Sequence, residues 1–115
     1  MGAANAVIKD LDEYQQILKQ HPLVIVLFTS KYCQACLGAS PRFNRIAEKY
    51  AHCVKSMILD TEQTPKIENV EGTPTAVVYQ NGLEVENLKG IGYPDEQEEL
   101  LEDLFSLYAK SASLT

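Results

Sequence analysis

Residues 23–36 have the sequence LVIVLFTSKYCQAC, which joins an apolar run to two closely spaced cysteines. The run from Leu23 to Phe28 is continuous and rich in β-branched residues, a pattern typical of a strand that is covered on both faces. Directly after it, Cys33 and Cys36 form a C-x-x-C motif where a helical pattern begins. The stretch therefore predicts a central strand followed by a helix whose first turn carries two thiols.

The helical pattern after the cysteines extends from about Gln34 to Tyr50. Pro41 lies inside it and is expected to kink the helix, because proline removes a backbone hydrogen bond. The predicted apolar face of this helix consists of Leu37, Phe43, Ile46, Ala47 and Tyr50.

Upstream, the apolar pair Val7 and Ile8 predicts a short strand, and the helical spacing over Asp10 to Gln20 predicts a helix that His21-Pro22 ends. Downstream, Val54 to Leu59 predicts a further strand. Two apolar segments, 75–79 and 83–88, flank Gln80-Asn81-Gly82 and predict an antiparallel hairpin.

A last helix is predicted from the segment that follows Gly90, Gly92 and Pro94. Asp95 and Glu98 have the spacing of a capping box. The predicted apolar face consists of Leu100, Leu101, Leu104, Phe105 and Tyr108. The six acidic residues between Asp95 and Asp103 are expected to form a solvated helix start, and a partner-docking face is the alternative.

The order of these elements predicts an α/β fold with a central mixed β-sheet of four to five strands, flanked by helices on both faces. With 115 residues, the chain is long enough for one domain and too short for two. We expect a single domain over 1–115, with residues 1–5 and 111–115 frayed.

Composition excludes several classes of function. The net charge is −6, so nonspecific nucleic-acid binding is not expected. No apolar run approaches the roughly 20 residues that span a bilayer, and no targeting segment is visible. The cysteine count of three is too low and odd for a disulfide scaffold. We therefore expect a soluble, unprocessed, cytoplasmic monomer in a reducing compartment.

The C-x-x-C motif predicts redox chemistry. A helix N-terminus favours the thiolate of Cys33, and Cys36, one turn further, is expected to be the less exposed thiol that closes the disulfide. Zinc is the weaker alternative, because only Cys53, His52, His21 and carboxylates could complete four ligands. For Cys53 an unreactive thiol is the simpler interpretation, with glutathionylation or an intermolecular disulfide as the functional one.

Over about residues 6 to 109 the sequence resembles the thioredoxin family. The shared features are Phe28, Tyr32, Cys33, Cys36, Pro41, Asp60 and the segment Gly72-Thr73-Pro74-Thr75. The resemblance implies the thioredoxin fold and thiol-disulfide oxidoreductase activity without a bound cofactor or metal. It also implies a cis Thr73–Pro74 bond beside the cysteines, with Thr73 pairing to a substrate backbone, Tyr32 at the rim and a glycine near 90–92 completing the surface.

The implied partners are protein disulfides or dithiols, with either a thioredoxin reductase or the glutathione system exchanging electrons. Three departures from the family pattern bear on this activity. Gln34 and Ala35 replace the usual Gly-Pro between the cysteines, and the added Ala35 amide predicts a more oxidising pair. Leu27 stands where a buried Asp or Glu is common, and Ser56 stands where Lys is common, so resolution by Cys36 is expected to be slow. The alternative function is a thioredoxin-fold interaction module with slow or vestigial cysteines.

Overall fold

The strand that precedes the cysteines is the middle strand of a five-stranded sheet. The computed structural model describes residues 4–6, 8–31, 33–67 and 69–113. The strand order is β1-β3-β2-β4-β5. The strands are β1 (Ala4–Ala6), β2 (Leu23–Thr29), β3 (Lys55–Asp60), β4 (Thr75–Gln80) and β5 (Leu83–Lys89).

The sheet is mixed, as the sequence predicts. β3 is parallel to both β1 and β2, while β4 is antiparallel to β2 and to β5. Asn81 and Gly82 both have positive φ angles, of 53° and 83°, as the tight hairpin turn between β4 and β5 requires. The hairpin prediction is confirmed.

Helices cover both faces of this sheet. They are α1 (Leu11–Gln20), α2 (Gln34–Lys49) and α3 (Pro94–Ser113). One buried cluster includes Ile25 and Leu27 of β2 with Phe43 of α2 and Phe105 of α3. A second cluster joins the opposite face of the sheet to Tyr14 and Leu18 of α1. Every residue from Leu23 to Phe28 is therefore buried, and the predicted doubly covered strand is confirmed.

Three local predictions are wrong. The first strand is Ala4–Ala6, because parallel pairing with β3 outweighs the weak strand propensity of Ala-Asn-Ala; Ile8 lies beyond the strand, and Val7 lies outside the described residues. Leu37 does not join the apolar face of α2 and is 75% exposed. Asp95 and Glu98 form no capping box, because the helix begins at Pro94, a residue favoured at the first helical position.

The remaining boundaries differ from the predicted ones by about one residue. Pro41 lies within α2, as predicted. Part of the predicted frayed ends, residues 1–3 and 114–115, lies outside the described residues, while 4–5 belong to β1 and 111–113 to α3. Fraying therefore stays a prediction. In the described part of the chain, no helix combines the length and apolar character needed to cross a membrane.

Candidate functional site

The two cysteines lie at the N-terminus of α2 and form a disulfide, with their Cα atoms 5.3 Å apart. Cys33 is the N-cap of the helix, and its sulfur accepts a hydrogen bond of 3.1 Å from the backbone N–H of Cys36. The N–H of Cys33 donates in turn to the carbonyl of Ser30, at 3.2 Å. The chain after β2 thus presents the Cys33 sulfur to the first turn of the helix, where the Cys36 N–H is shared between this sulfur and the Cys33 carbonyl, also 3.1 Å away.

The sulfur-bearing residues differ in exposure. Cys33 is half-buried and Cys36 is 4% exposed, while Gln34 and Ala35 between them are exposed. A disulfide on another molecule can therefore approach Cys33 more easily than Cys36. This asymmetry suits a pair in which the first thiol meets the substrate and the second closes the intramolecular bond.

The loop that contains Thr73 and Pro74 contacts Ser30, which lies just before the cysteines. The peptide bond between these residues is cis, and Pro74 is buried. The hydroxyl oxygens of Ser30 and Thr73 lie 2.9 Å apart, within hydrogen-bond distance. Ser30 therefore contacts both Cys33, through its carbonyl, and the Thr73 loop, through its side chain.

The segment from Gly90 to Gly92 is hydrogen-bonded to this loop. The N–H of Gly90 donates to the carbonyl of Pro74 at 2.8 Å. Gly90 and Gly92 are exposed, as a docking surface requires, whereas Ile91 between them is buried. Tyr32, the predicted rim residue, lies outside the described residues.

The two positions at which acid–base groups are expected, Leu27 and Ser56, lie in the core on β2 and β3. Leu27 is fully buried and belongs to the cluster that joins β2 to α2 and α3. Ser56 is also buried, and its hydroxyl oxygen has no hydrogen-bond partner. Neither position supplies a carboxylate or an ammonium group to the cysteine pair.

The third cysteine lies apart from this pair. Cys53 is half-buried with a free thiol, which donates to the carbonyl of Tyr50 over 3.7 Å. His21 caps the C-terminus of α1, and His52 lies in an exposed turn. Across the described ranges, no three His, Cys, Asp or Glu side chains come together in an arrangement able to hold a metal ion.

The acidic start of α3 is partly engaged with α2. Glu98 pairs with Arg45, and the guanidinium holds the pKa of the Glu98 carboxyl below its ordinary value. Glu102 accepts hydrogen bonds from Lys49 at 3.3 Å and from the Tyr50 hydroxyl at 3.2 Å. The acidic start of α3, predicted to be solvated, therefore also forms polar contacts with α2.

Ser30 and Gln97 are site residues that the sequence analysis missed. Ser30 gives no pattern signal, because a single serine after a strand is typical of any loop. Gln97 does give one, since its spacing before Leu101 and Leu104 places it on the core-facing side of α3. Its burial, with 0% exposure, agrees with that spacing.

Comparison with known proteins agrees with this geometry. The family model described as Thioredoxin matches residues 5–104. A thioredoxin of Mycoplasma genitalium is 32% identical over 75% of the chain and 84% of its own length. Thioredoxin 1 of Plasmodium falciparum is 29% identical over 73% of the chain and 83% of its own length. The solution structure of the oxidised Plasmodium falciparum thioredoxin superposes with a TM-score of 0.77 at 25% identity, covering 93% of the chain and 98% of that structure.

Proposed function

The chain belongs to the thioredoxin family of thiol-disulfide oxidoreductases, and from this premise we propose that Cys33 is its nucleophile and Cys36 its resolving thiol. The observation that carries the proposal is the disulfide between a half-buried N-cap cysteine and a buried partner. Exposure decides the order of the two roles, because the substrate has to reach the first sulfur and not the second.

The exchange transfers two electrons. The Cys33 thiolate attacks one sulfur of a substrate disulfide, which forms a mixed disulfide and releases the first substrate thiolate. The Cys36 thiolate then attacks the Cys33 sulfur, which breaks the mixed disulfide and releases the second. The substrate gains two electrons and takes up two protons, while the protein is left with the Cys33–Cys36 disulfide. A two-electron reductant, either a thioredoxin reductase or two glutathione molecules of the glutathione system, restores the dithiol.

Protein disulfides are the proposed substrates. The loop of Thr73 and Pro74 is hydrogen-bonded to Ser30, next to the cysteine segment, and the backbone of Thr73 offers main-chain groups to which an extended chain can pair. We assign Thr73 and Pro74 to substrate binding, with Tyr32 at the rim. Gln34 and Ala35 are the exposed residues between the sulfurs.

The test is a trapping experiment with the reduced protein and insulin as the disulfide probe. Replacing Cys36 with Ser prevents resolution, so an insulin adduct on Cys33 is expected by mass spectrometry after proteolysis. Cys53→Ser in the same background is the matched control and is expected to leave the adduct unchanged. The proposal fails if no adduct is found on Cys33, or if the adduct is found on Cys53.

A second candidate is a protein-interaction module of the same fold with slow cysteines. The apolar surroundings of Leu27 favour it, because none of the buried residues in the described part of the chain is a carboxylate that could take the Cys36 proton. The two candidates differ in thiol reactivity: a catalytic Cys33 reacts much faster than Cys53 at neutral pH, whereas the thiols of a module react alike.

A further inference from the structure

Gln97 is a fully buried polar residue at the junction of α2, α3 and the Gly90–Gly92 segment. Its Oε1 accepts a hydrogen bond of 3.1 Å from Nη1 of Arg42, and its Nε2 donates to the carbonyl of Gly92 at 3.3 Å. Because a guanidinium can only donate and a carbonyl can only accept, these two partners fix the orientation of the amide. Since burying an amide without partners is costly, the two hydrogen bonds also fix its position.

The segment that Gln97 holds has an unfavourable backbone conformation. Gly90, Ile91 and Gly92 have φ angles of 80°, 34° and 85°. Glycine adopts such angles readily, but a β-branched residue does so only under strain. Ile91 is 1% exposed and packs in the cluster beneath α2 and α3. Surrounding contacts therefore hold this segment against its intrinsic preference.

Hydrogen bonds hold the segment at both ends. At one end, the Gly90 N–H donates to the Pro74 carbonyl at 2.8 Å. At the other end, Gln97 bonds to Gly92 and, through Arg42, to α2. The helix that begins at the cysteines is thus connected to the loop of Pro74 by two routes, one through Ser30 and one through Gln97.

We infer that Gln97, oriented by Arg42, is a positioning residue that holds the Gly90–Gly92 segment beside Pro74 and thereby sets the affinity for protein disulfides. The inference rests on the proposed function, because it assumes that a substrate chain lies along this segment. Gln97 is buried and does not touch the substrate. Its contribution concerns the docking of an extended chain and not the exchange between sulfurs.

Two variants of Gln97 separate these effects. Gln97→Leu removes both hydrogen bonds while keeping the volume of the side chain approximately. Gln97→Glu keeps an acceptor for Arg42 and removes the donor to the Gly92 carbonyl. Arg45→Gln is the matched control, because it breaks a neighbouring contact between α2 and α3, the pair with Glu98, that has no connection to the segment.

The measurement is the rate of disulfide exchange of the reduced protein against insulin concentration, with hydroxyethyl disulfide as the small substrate. Both Gln97 variants are expected to raise the half-saturating insulin concentration roughly fivefold, the equivalent of one hydrogen bond. The limiting rate with insulin and the rate with hydroxyethyl disulfide are expected to stay within about twofold of those of the parent protein, because neither depends on the docking of an extended chain. Arg45→Gln is expected to match the parent protein in the half-saturating insulin concentration, the limiting rate and the rate with hydroxyethyl disulfide.

The outcomes distinguish the inference from the proposed function. If the parent protein reduces neither disulfide, the proposed function fails. If it reduces both and the Gln97 variants match Arg45→Gln, the inference is overturned and the activity stands. A fall in the rate with hydroxyethyl disulfide equal to the fall with insulin also overturns it. Arg42→Met leaves Gln97 in place without its orienting partner and serves as the test if the Gln97 variants do not fold. An unchanged half-saturating insulin concentration in Arg42→Met would then overturn the inference.

Discussion

Leu27 and Ser56 face the same layer of the core from diagonal positions on two adjacent parallel strands. Leu27 lies opposite Ile58, and Ser56 lies two residues before Ile58 on the same face of β3. Leu27 is completely buried, and the Ser56 hydroxyl has no hydrogen-bond partner. The pair therefore places an apolar side chain and an unsatisfied hydroxyl where many thioredoxins have two opposite charges. Each residue leads to a prediction.

A carboxylate at position 27 is expected to accelerate resolution. A positioned general base contributes about a hundredfold or more, so even a partly positioned one should raise the rate of insulin reduction at least about threefold. Leu27→Asp also buries a carboxyl group, which is expected to lower the free energy of unfolding, because its charged form is desolvated. The rate is measured per folded molecule, with dithiothreitol as the reductant.

Leu27→Asn is the matched control for this variant. It has nearly the same shape and burial cost as Asp but cannot accept the Cys36 proton. The prediction is wrong if Leu27→Asp reduces insulin no faster than the parent protein, or if the Asn variant is accelerated equally.

The hydroxyl of Ser56 is expected to destabilise the fold. A buried group without a partner costs about 1–3 kcal/mol, so Ser56→Ala is expected to raise the free energy of unfolding by about 1 kcal/mol. Thr75→Val is the contrasting control, because the Thr75 hydroxyl donates to the Gly72 carbonyl at 2.7 Å and its loss should destabilise. Urea denaturation of both variants checks this, and a destabilised Ser56→Ala protein would contradict it.

The elements that could be predicted from sequence are those with strong local signals. The uninterrupted apolar run predicts β2 because a continuous run of β-branched residues is typical of a strand that is covered on both faces. The Asn81-Gly82 turn predicts the hairpin because its backbone angles need those residue types. The disulfide pair follows from the spacing of Cys33 and Cys36 at a helix start.

The features that could not be predicted depend on tertiary contacts. Nothing in Ala4–Ala6 favours a strand except its pairing with β3. Leu37 fits the apolar spacing of α2, yet the helix turns it outward beside the cysteines, where it is 75% exposed. The link from Arg42 through Gln97 to Gly92 joins three separate segments, and helical spacing alone gives the burial of Gln97 but not its partners.

Cys33 and Cys53 are expected to differ in reactivity towards alkylating reagents. Cys33 lies at a helix N-terminus with an amide directed at its sulfur, whereas the Cys53 thiol donates its proton to a carbonyl. In the reduced protein at pH 7, Cys33 is therefore expected to react with iodoacetamide at least about ten times faster than Cys53. Timed quenching and peptide mass spectrometry measure both rates in one sample. Equal rates would favour the interaction module.

Stability is expected to fall at alkaline pH through Tyr108. Burial, together with the hydrogen bond to Glu86, raises the pKa of Tyr108 to about 12. An unfolded tyrosine titrates near pH 10, so above about pH 10 the unfolded chain binds fewer protons than the folded one. The contribution of Tyr108 to the free energy of unfolding is complete below about pH 10 and is lost as the pH rises towards about 12.

Denaturation of the disulfide form at several pH values measures this effect. Tyr108→Phe is expected to reduce the alkaline decline, and the remaining decline belongs to Tyr14 and Tyr79, because burial raises the pKa of both. Glu86→Gln keeps an acceptor for the hydroxyl but removes the charge, and it is expected to flatten the decline only in part, because burial remains. A Tyr108→Phe protein with an unchanged pH dependence would contradict the assignment.

The reduction potential is expected to depend on the amide of Ala35. A sulfur at the N-cap can accept from the amides two and three residues later, which here belong to Ala35 and Cys36. The Cys36 amide makes this contact in the disulfide form, at 3.1 Å. In the reduced form the Cys33 thiolate is a stronger acceptor, and the Ala35 amide is available as a second donor. A bond that forms only on reduction, as expected for the Ala35 amide, stabilises the dithiol relative to the disulfide.

Ala35→Pro removes that donor and tests the expectation. One hydrogen bond of about 1.4 kcal/mol corresponds to about 30 mV for a two-electron couple, so the variant is expected to be more reducing by about 30 mV. The parent protein should lie above about −270 mV, a value representative of thioredoxin. Titration against glutathione buffers measures both, with Gln34→Gly as the control that keeps the amide at position 35. A parent potential at or below about −270 mV, or no shift in Ala35→Pro, would show that this amide does not set the potential.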